Sequence, residues 1–124
     1  MYEVKIRKSF SAAHLLREIG GKCEALHGHN FDVEVTVAGE KLNAEGLLID
    51  FRVLKNCTEE ILETLDHKHL NEIDCFRGIN PSSENIARYI YEAIEQKTDP
   101  LNISVASVTV WESENSSVTY RAKK

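Results

Sequence analysis

Apolar and polar side chains alternate with a period of two residues at two places in this chain, and such stretches pack only as strands with one face covered and one face wet. Tyr2, Val4, Ile6 and Phe10 alternate with Glu3, Lys5, Arg7 and Ser9, with Lys8 the one exception. Phe31, Val33, Val35 and Val37 alternate with Asp32, Glu34 and Thr36 until Gly39 ends the run. Between them, Ser11 to Asn30 is too long for a hairpin turn and carries Gly20-Gly21 at its centre, so it is expected to be a loop with a task.

The middle of the chain changes period. Asp50 is placed to cap a helix whose apolar positions Leu54, Cys57, Ile61 and Leu65 share one side, with Thr58 and Glu59 facing water. After an irregular segment from Asp66 to Asn80, Ser82 caps a second helix with Ile86, Ile90, Ala93 and Ile94 as its buried stripe, ended by Asp99-Pro100. Ile103 to Trp111 is strand-like with a slip of parity between Val105 and Ala106, and Val118, Tyr120 and Ala122 mark a last strand. The order ββααββ predicts an α+β fold, an antiparallel sheet with two helices on one face. Its other face, with Glu3, Lys5, Arg7, Asp32, Glu34 and Thr36, must meet water, and two open edges favour closure into a barrel with further copies of the chain.

With 124 residues the expectation is a single domain over 1–124. Twenty acidic residues against 15 Lys plus Arg give a net charge of −5, with no basic cluster to grip a phosphate backbone, so nucleic acid is excluded as a partner. No apolar run approaches the roughly 20 residues of a membrane helix, and Met1 to Phe10 is charged and alternating rather than a signal peptide. Three cysteines are too few for a disulfide framework and fit a reducing compartment, so a cytoplasmic location is expected.

All five histidines fall in two short groups: His14, His27 and His29, and then His67 and His69. His27 and His29, two apart, share the covered side with Phe31 and Val33, and an unbroken first strand brings His14 to the same face. Three neutral imidazoles converging on one point form a catalytic Zn²⁺ set with a fourth position open. Three unrelated polar loop residues are the plain alternative, and the shared parity weighs against it. Cys23, four residues before His27, would be favoured as a thiolate beside such a metal; an ordinary small side chain accounts for the spacing equally well. Asp66-His67 can form an acid–base relay, although a histidine facing a helix C-terminus explains the dipeptide alone. Glu112 shares parity with Val108 and Val110, and ends a buried strand face either by emerging into solvent or by receiving paired N–H donors from a flat heterocycle. Cys57 reads as core, and Cys75 is assigned nothing.

Phe10-Ser11-Ala12-Ala13-His14, Cys23-Glu24-Ala25-Leu26-His27-Gly28-His29-Asn30, Leu65-Asp66-His67-Lys68-His69-Leu70-Asn71, Pro81-Ser82-Ser83-Glu84-Asn85 and Trp111-Glu112 occur in order over nearly the whole chain. Together they resemble the 6-pyruvoyltetrahydropterin synthase family, and the four-residue step from Cys23 to His27 looks like its bacterial 6-carboxytetrahydropterin synthase branch, which serves queuosine synthesis. The resemblance implies a tunnelling fold (T-fold), usually a homohexamer, and a zinc-dependent lyase acting on 7,8-dihydroneopterin triphosphate. It implies zinc on His14, His27 and His29, proton transfer by Cys23, a relay of Asp66 and His67, and Glu112 as pterin anchor. Ser82 stands where the family commonly has Thr, a mild change that keeps the hydroxyl cap. Glu24 departs more, because a branch that makes a folate precursor uses a Glu near this position, so the pyruvoyl-forming and folate-precursor activities stay open. From other classes, a tri-His zinc hydratase or hydrolase would need only the histidines, and a metal-binding oligomer would turn over nothing.

Overall fold

The computed structural model describes residues 1–18 and 21–123, the side chains of Lys22 and Cys23 excepted, so the thiol role expected of Cys23 lies outside the described residues. Four strands, β1 (Tyr2–His14), β2 (His27–Gly39), β3 (Ser104–Ser113) and β4 (Ser116–Tyr120), form one antiparallel sheet in sequence order. The helices α1 (Phe51–Leu62) and α2 (Ser83–Thr98) come between β2 and β3, and α1 packs on β1 while α2 packs on β3 and β4. The fold is therefore α+β, in the ββααββ order read from the sequence. Its helix-covered face holds Ile6, Phe10, Phe31, Val33, Val35, Val108 and Val110.

Both first strands are longer than their apolar alternation. β1 continues through Ser11 to His14 and β2 starts at His27, so both ends of the stretch expected to be loop, Ser11 to His14 and His27 to Asn30, are ladder, and the connection shrinks to 15–26. The exception to the first alternation also resolves. Lys8 sits at an inward position, but its ammonium reaches Glu59 on α1 at 3.1 Å, so its charge is not stranded under the helix.

The stripe of α1 differs from expectation by one position. Leu54, Thr58, Ile61 and Leu62 are buried, whereas Cys57 is only half-buried and Leu65 lies beyond the helix in the turn that follows. Thr58, expected in water, tolerates burial because its Oγ1 donates to the Leu54 carbonyl at 2.8 Å. Thr36 departs in the same sense: on the outer face it is 5% exposed, sitting on a central strand between its cross-strand partners Lys5 and Ser107. The rest of that face carries charge, with Arg7 bonded to Glu34 at 3.1 Å and to Asp32 at 3.3 Å, 5.6 Å from the Trp111 ring.

The parity slip in β3 is a bulge. Thr36 pairs with Ser107 and Val37 with Val105, leaving Ala106 as the extra residue. A second bulge follows, where Trp111 pairs with Ser117 and Ser113 with Ser116, leaving Glu112 as the extra residue.

Two substitutions test this framework by urea denaturation. Leu54→Ala, in a site with no exposure, is expected to lower stability by about 2–5 kcal/mol. Ser82→Ala, which removes the hydroxyl that accepts the Asn85 N–H, is expected to cost about 1 kcal/mol.

Candidate metal centre and adjoining clefts

The β1–β2 ladder sets His14 opposite His27 and Ala12 opposite His29. Because inward residues on paired strands share a face, three imidazoles meet at the end of the ladder, with ring centroids 4.6 Å (His14–His27), 5.2 Å (His14–His29) and 4.8 Å (His27–His29) apart. One ligand atom from each lies within 4.8 Å of the others. Phe31 floors the group, edge-on to His14 at 5.6 Å and against His29 at 5.3 Å, and stacks on Phe10 at 4.9 Å.

Hydrogen bonds aim the rings. His14 Nδ1 lies 2.7 Å from the Pro81 carbonyl and His27 Nδ1 lies 2.7 Å from the Ala25 carbonyl. A carbonyl only accepts, so each Nδ1 carries the proton and each Nε2 presents a lone pair. The Nε2 atoms of His14 and His29 are buried with no hydrogen-bond partner. Orphaned buried nitrogens are costly, and three soft donors facing one point are the set that a divalent metal satisfies. Burial pushes the His14 pKa below its ordinary value, the backbone bond to Pro81 opposing in part, so the ring stays neutral and free to ligate at pH 7.

Glu112 joins this group. Ser83 Oγ donates to its Oε1 at 2.5 Å, while Oε2 stands 3.9 Å from His29 Nε2. The bulge turns this carboxylate toward the start of α2 instead of along the strand, and it lines a cavity of about 170 Å³ with Ser83, Glu84, Ser116 and Ser117. Asp66 and His67 are placed differently. Their segment runs beside β1: His67 N–H donates to the Ser11 carbonyl at 2.6 Å, Asp66 Oδ1 accepts the Ser11 N–H at 2.9 Å, and Ala13 N–H donates to the Lys68 carbonyl at 3.0 Å. Asp66 Oδ2 lies 3.0 Å from His67 Nδ1. The Ser11 amide, ahead of the histidine, holds the Asp66 carboxyl below its usual range. His67 has φ +58°, a left-handed turn that presents its exposed ring at an open cleft of about 590 Å³, which His29 also lines.

Several residues of the arrangement have no signature in composition or period. Asn71 bonds both backbone groups of Leu15 at 2.9 and 3.0 Å, and Asn80 bonds both of Arg17 at 2.8 and 3.0 Å, clamping the chain as it leaves His14. Ser83 positions Glu112, and only its place in the Pro81–Asn85 motif hinted at a role. Glu24 is exposed and its carboxylate accepts the Glu18 N–H at 3.1 Å, tying its own loop together.

Residues 3–123 match the family model described as 6-pyruvoyl tetrahydropterin synthase. The chain is 35% identical over 130 residues to the 6-carboxy-5,6,7,8-tetrahydropterin synthase of Bacillus subtilis, covering 99% of this chain and 87% of that protein. It is 39% identical over 106 residues to the dihydroneopterin monophosphate aldolase of Pyrococcus furiosus, covering 86% and 85%. Among solved structures, the 6-pyruvoyl tetrahydropterin synthase of Caenorhabditis elegans superposes with TM-score 0.87 at 29% identity, covering 98% of this chain and 96% of that one.

If the three imidazoles hold a divalent metal, the wild type retains close to one equivalent per chain through gel filtration at pH 7 and releases it on acidification, as protons take the ring nitrogens. His29→Ala is expected to lose it at pH 7; full metal content in that variant would contradict the assignment.

Proposed function

The chain belongs to the 6-pyruvoyl tetrahydropterin synthase family, and within it we propose that the protein is a zinc-dependent 6-carboxy-5,6,7,8-tetrahydropterin synthase. It converts 7,8-dihydroneopterin triphosphate and water to 6-carboxytetrahydropterin, acetaldehyde and triphosphate in the cytoplasm, for queuosine and related 7-deazapurine synthesis. The observation that carries this reading is the adjacency of two devices: a tri-His cluster, and a carboxylate 3.9 Å from one of its rings that a serine fixes in place. A metal centre for the side chain of a substrate and an anchor for its flat heterocycle then sit side by side.

His14, His27 and His29 would hold zinc, and when bound the ion supplies Lewis acidity that acidifies the side-chain hydroxyls and stabilises negative charge while triphosphate leaves. Glu112 receives the N–H donors of the pterin through paired charge-assisted hydrogen bonds, and the Ser83 hydroxyl keeps one of its oxygens from turning away. Cys23 moves the proton, and Asp66 orients His67 as its relay: the Ser11 amide keeps Asp66 ionised, which favours a proton on His67 Nδ1 and leaves Nε2 to exchange one. Water then splits the carbon–carbon bond between the two side-chain carbonyls: the ring-side carbon takes the hydroxyl and becomes the carboxylate, and the outer carbon takes a hydrogen and leaves as acetaldehyde.

Aldol cleavage of a monophosphate is the second reading, supported by the Pyrococcus furiosus relative and by Glu24 beside Cys23. The engagement of Glu24 with its own loop favours the first. Incubation with 7,8-dihydroneopterin triphosphate, with mass analysis of the pterin and assay of acetaldehyde, separates them: the proposal expects both products in equal amounts. A pyruvoyl product without acetaldehyde places the chain in the pyruvoyl branch, turnover of the monophosphate alone places it with the aldolase, and hydrolysis without elimination points to a hydratase or hydrolase.

The division of labour has its own test. Cys23→Ala is expected to abolish single-turnover chemistry while leaving pterin binding near normal, whereas Glu112→Ala weakens binding. His67→Ala resembles Cys23→Ala, and the double variant is no worse than either alone. If Cys23→Ala keeps near-normal turnover, the thiol is a bystander and Glu24 becomes the base.

We also assign a homohexamer, since β1 and β4 leave edges and a charged outer face that a barrel of copies would enclose. Light scattering is expected to give a mass near six chains; an active monomer at micromolar concentration overturns this.

A further inference from the structure

The connection 15–26 holds Cys23 in the short turn Gly21–Glu24, and apolar packing does little to fix its path. None of its described side chains is buried: Leu15 and Leu16 are half-buried, and Arg17, Glu18, Glu24, Ala25 and Leu26 are exposed. Among the described residues, the hydrogen bonds that tie it to the fold outside the β1–β2 hairpin come from two carboxamides. Asn71 Oδ1 accepts the Leu15 N–H while its Nδ2 donates to the Leu15 carbonyl, and Asn80 does the same for Arg17. A carboxamide bonded to both backbone groups of one residue fixes its orientation as well as its position, as a strand partner would. Two residues anchored in this way, with only Leu16 between them, set the direction in which the chain leaves His14.

The two carboxamides answer to different halves of the site. Asn71 stands in the short turn Leu70–Glu72, just after the segment 66–68 that is bonded to Ser11 and Ala13 and carries His67. Asn80 precedes Pro81, whose carbonyl holds His14 Nδ1, and lies three residues before Ser83, which holds Glu112. Its own carbonyl accepts from Asn85 Nδ2 at 2.8 Å, in the first turn of α2, so this clamp is itself fastened to the helix.

We propose that Asn71 and Asn80 are positioning residues for the reaction: together they place the connection that carries Cys23 in register with His67 on one side and with Glu112 on the other. The inference rests on the reading of Cys23 as the group that moves a proton on a ligand anchored at Glu112. Both carboxamides act through the backbone of Leu15 and Arg17, so their loss shifts the thiol relative to the ligand while the histidines and Glu112 stay in place.

Alkylation of Cys23 by iodoacetamide reads this placement without turnover. On the full chain, with metal content matched, the rate at Cys23 is followed by peptide mass analysis with and without saturating neopterin, and the exposed Cys75 serves as the internal measure of the reagent. Neopterin is expected to slow alkylation of Cys23 at least about tenfold in wild type but less than about twofold in Asn71→Ala and Asn80→Ala, with neopterin affinity and metal content within about twofold of wild type. The isosteric Asn71→Asp and Asn80→Asp keep the acceptor, lose the donor and are expected to fall between, which covers an alanine variant that fails to fold. Asn43→Ala removes a carboxamide that accepts the Glu45 and Leu47 N–H groups in the loop after the far end of β2, and is expected to keep wild-type protection. Single-turnover rates on dihydroneopterin triphosphate are expected to fall at least about tenfold in the two alanine variants.

Wild-type protection in either clamp position's variants, or equal loss in Asn43→Ala, overturns the proposal. Loss of neopterin or metal binding in step with the loss of protection also overturns it, as the mark of a general structural defect. Absence of protection in wild type would remove the thiol from the site and overturn both this proposal and the role of Cys23. Protection lost in the clamp variants as expected, with no conversion of dihydroneopterin triphosphate by wild type, would strike the proposed function and leave the positioning role supported.

Discussion

The antiparallel ladder between β1 and β2 runs without a break from Tyr2 opposite Gly39 to His14 opposite His27, and its register does two things at once. Lower down it stacks Ile6, Phe10, Phe31, Val33 and Val35 under the helices, where their burial holds the fold together. At its upper end the same parity turns His14, His27 and His29 to one point. A slip of one residue would send both the core side chains and the imidazoles to the wet face, so the apolar pairs that stabilise the sheet also enforce the metal geometry. Phe31 shows the coupling most directly, since one ring packs on Phe10, His14 and His29.

The start of α2 is the second support. Within three residues, Pro81 gives its carbonyl to His14 Nδ1, Ser82 caps the helix, and Ser83 holds Glu112. The segment that begins a helix therefore fixes the tautomer of a ligating histidine and the orientation of a neighbouring carboxylate. Asp66 to Lys68 plays the same part on the other side, locked to Ser11 and Ala13 by backbone bonds. His14, Glu112 and Asp66 are thus each held by a hydrogen bond to a neighbouring segment of the fold.

Strand order, both helices, the Ser82 cap and the bulge near Ala106 were legible because each has a local signature: a period of two, a cap at a helix start, a break in parity. The strand extensions to His14 and from His27 carry no apolar alternation, since histidine and alanine supply none; the parity of His14 and the two-residue spacing of His27 and His29 were the signals that anticipated them. Thr58 was misplaced because a hydroxyl that bonds its own helix can be buried, which hydropathy does not register. The Asn71 and Asn80 clamps join segments more than fifty residues apart, and no local pattern encodes such a bond. Glu112 was found by parity, but the bulge and the Ser83 bond that aim it belong to tertiary structure.

Zinc-edge X-ray absorption on the purified protein tests the central claim, that three imidazoles from one strand pair build the metal centre. The account predicts imidazole scattering from three nitrogens at about 2.0–2.1 Å with a light atom completing the shell. A sulfur scatterer at about 2.3 Å would contradict it, because it would place a cysteine among the ligands and take the thiol away from proton transfer.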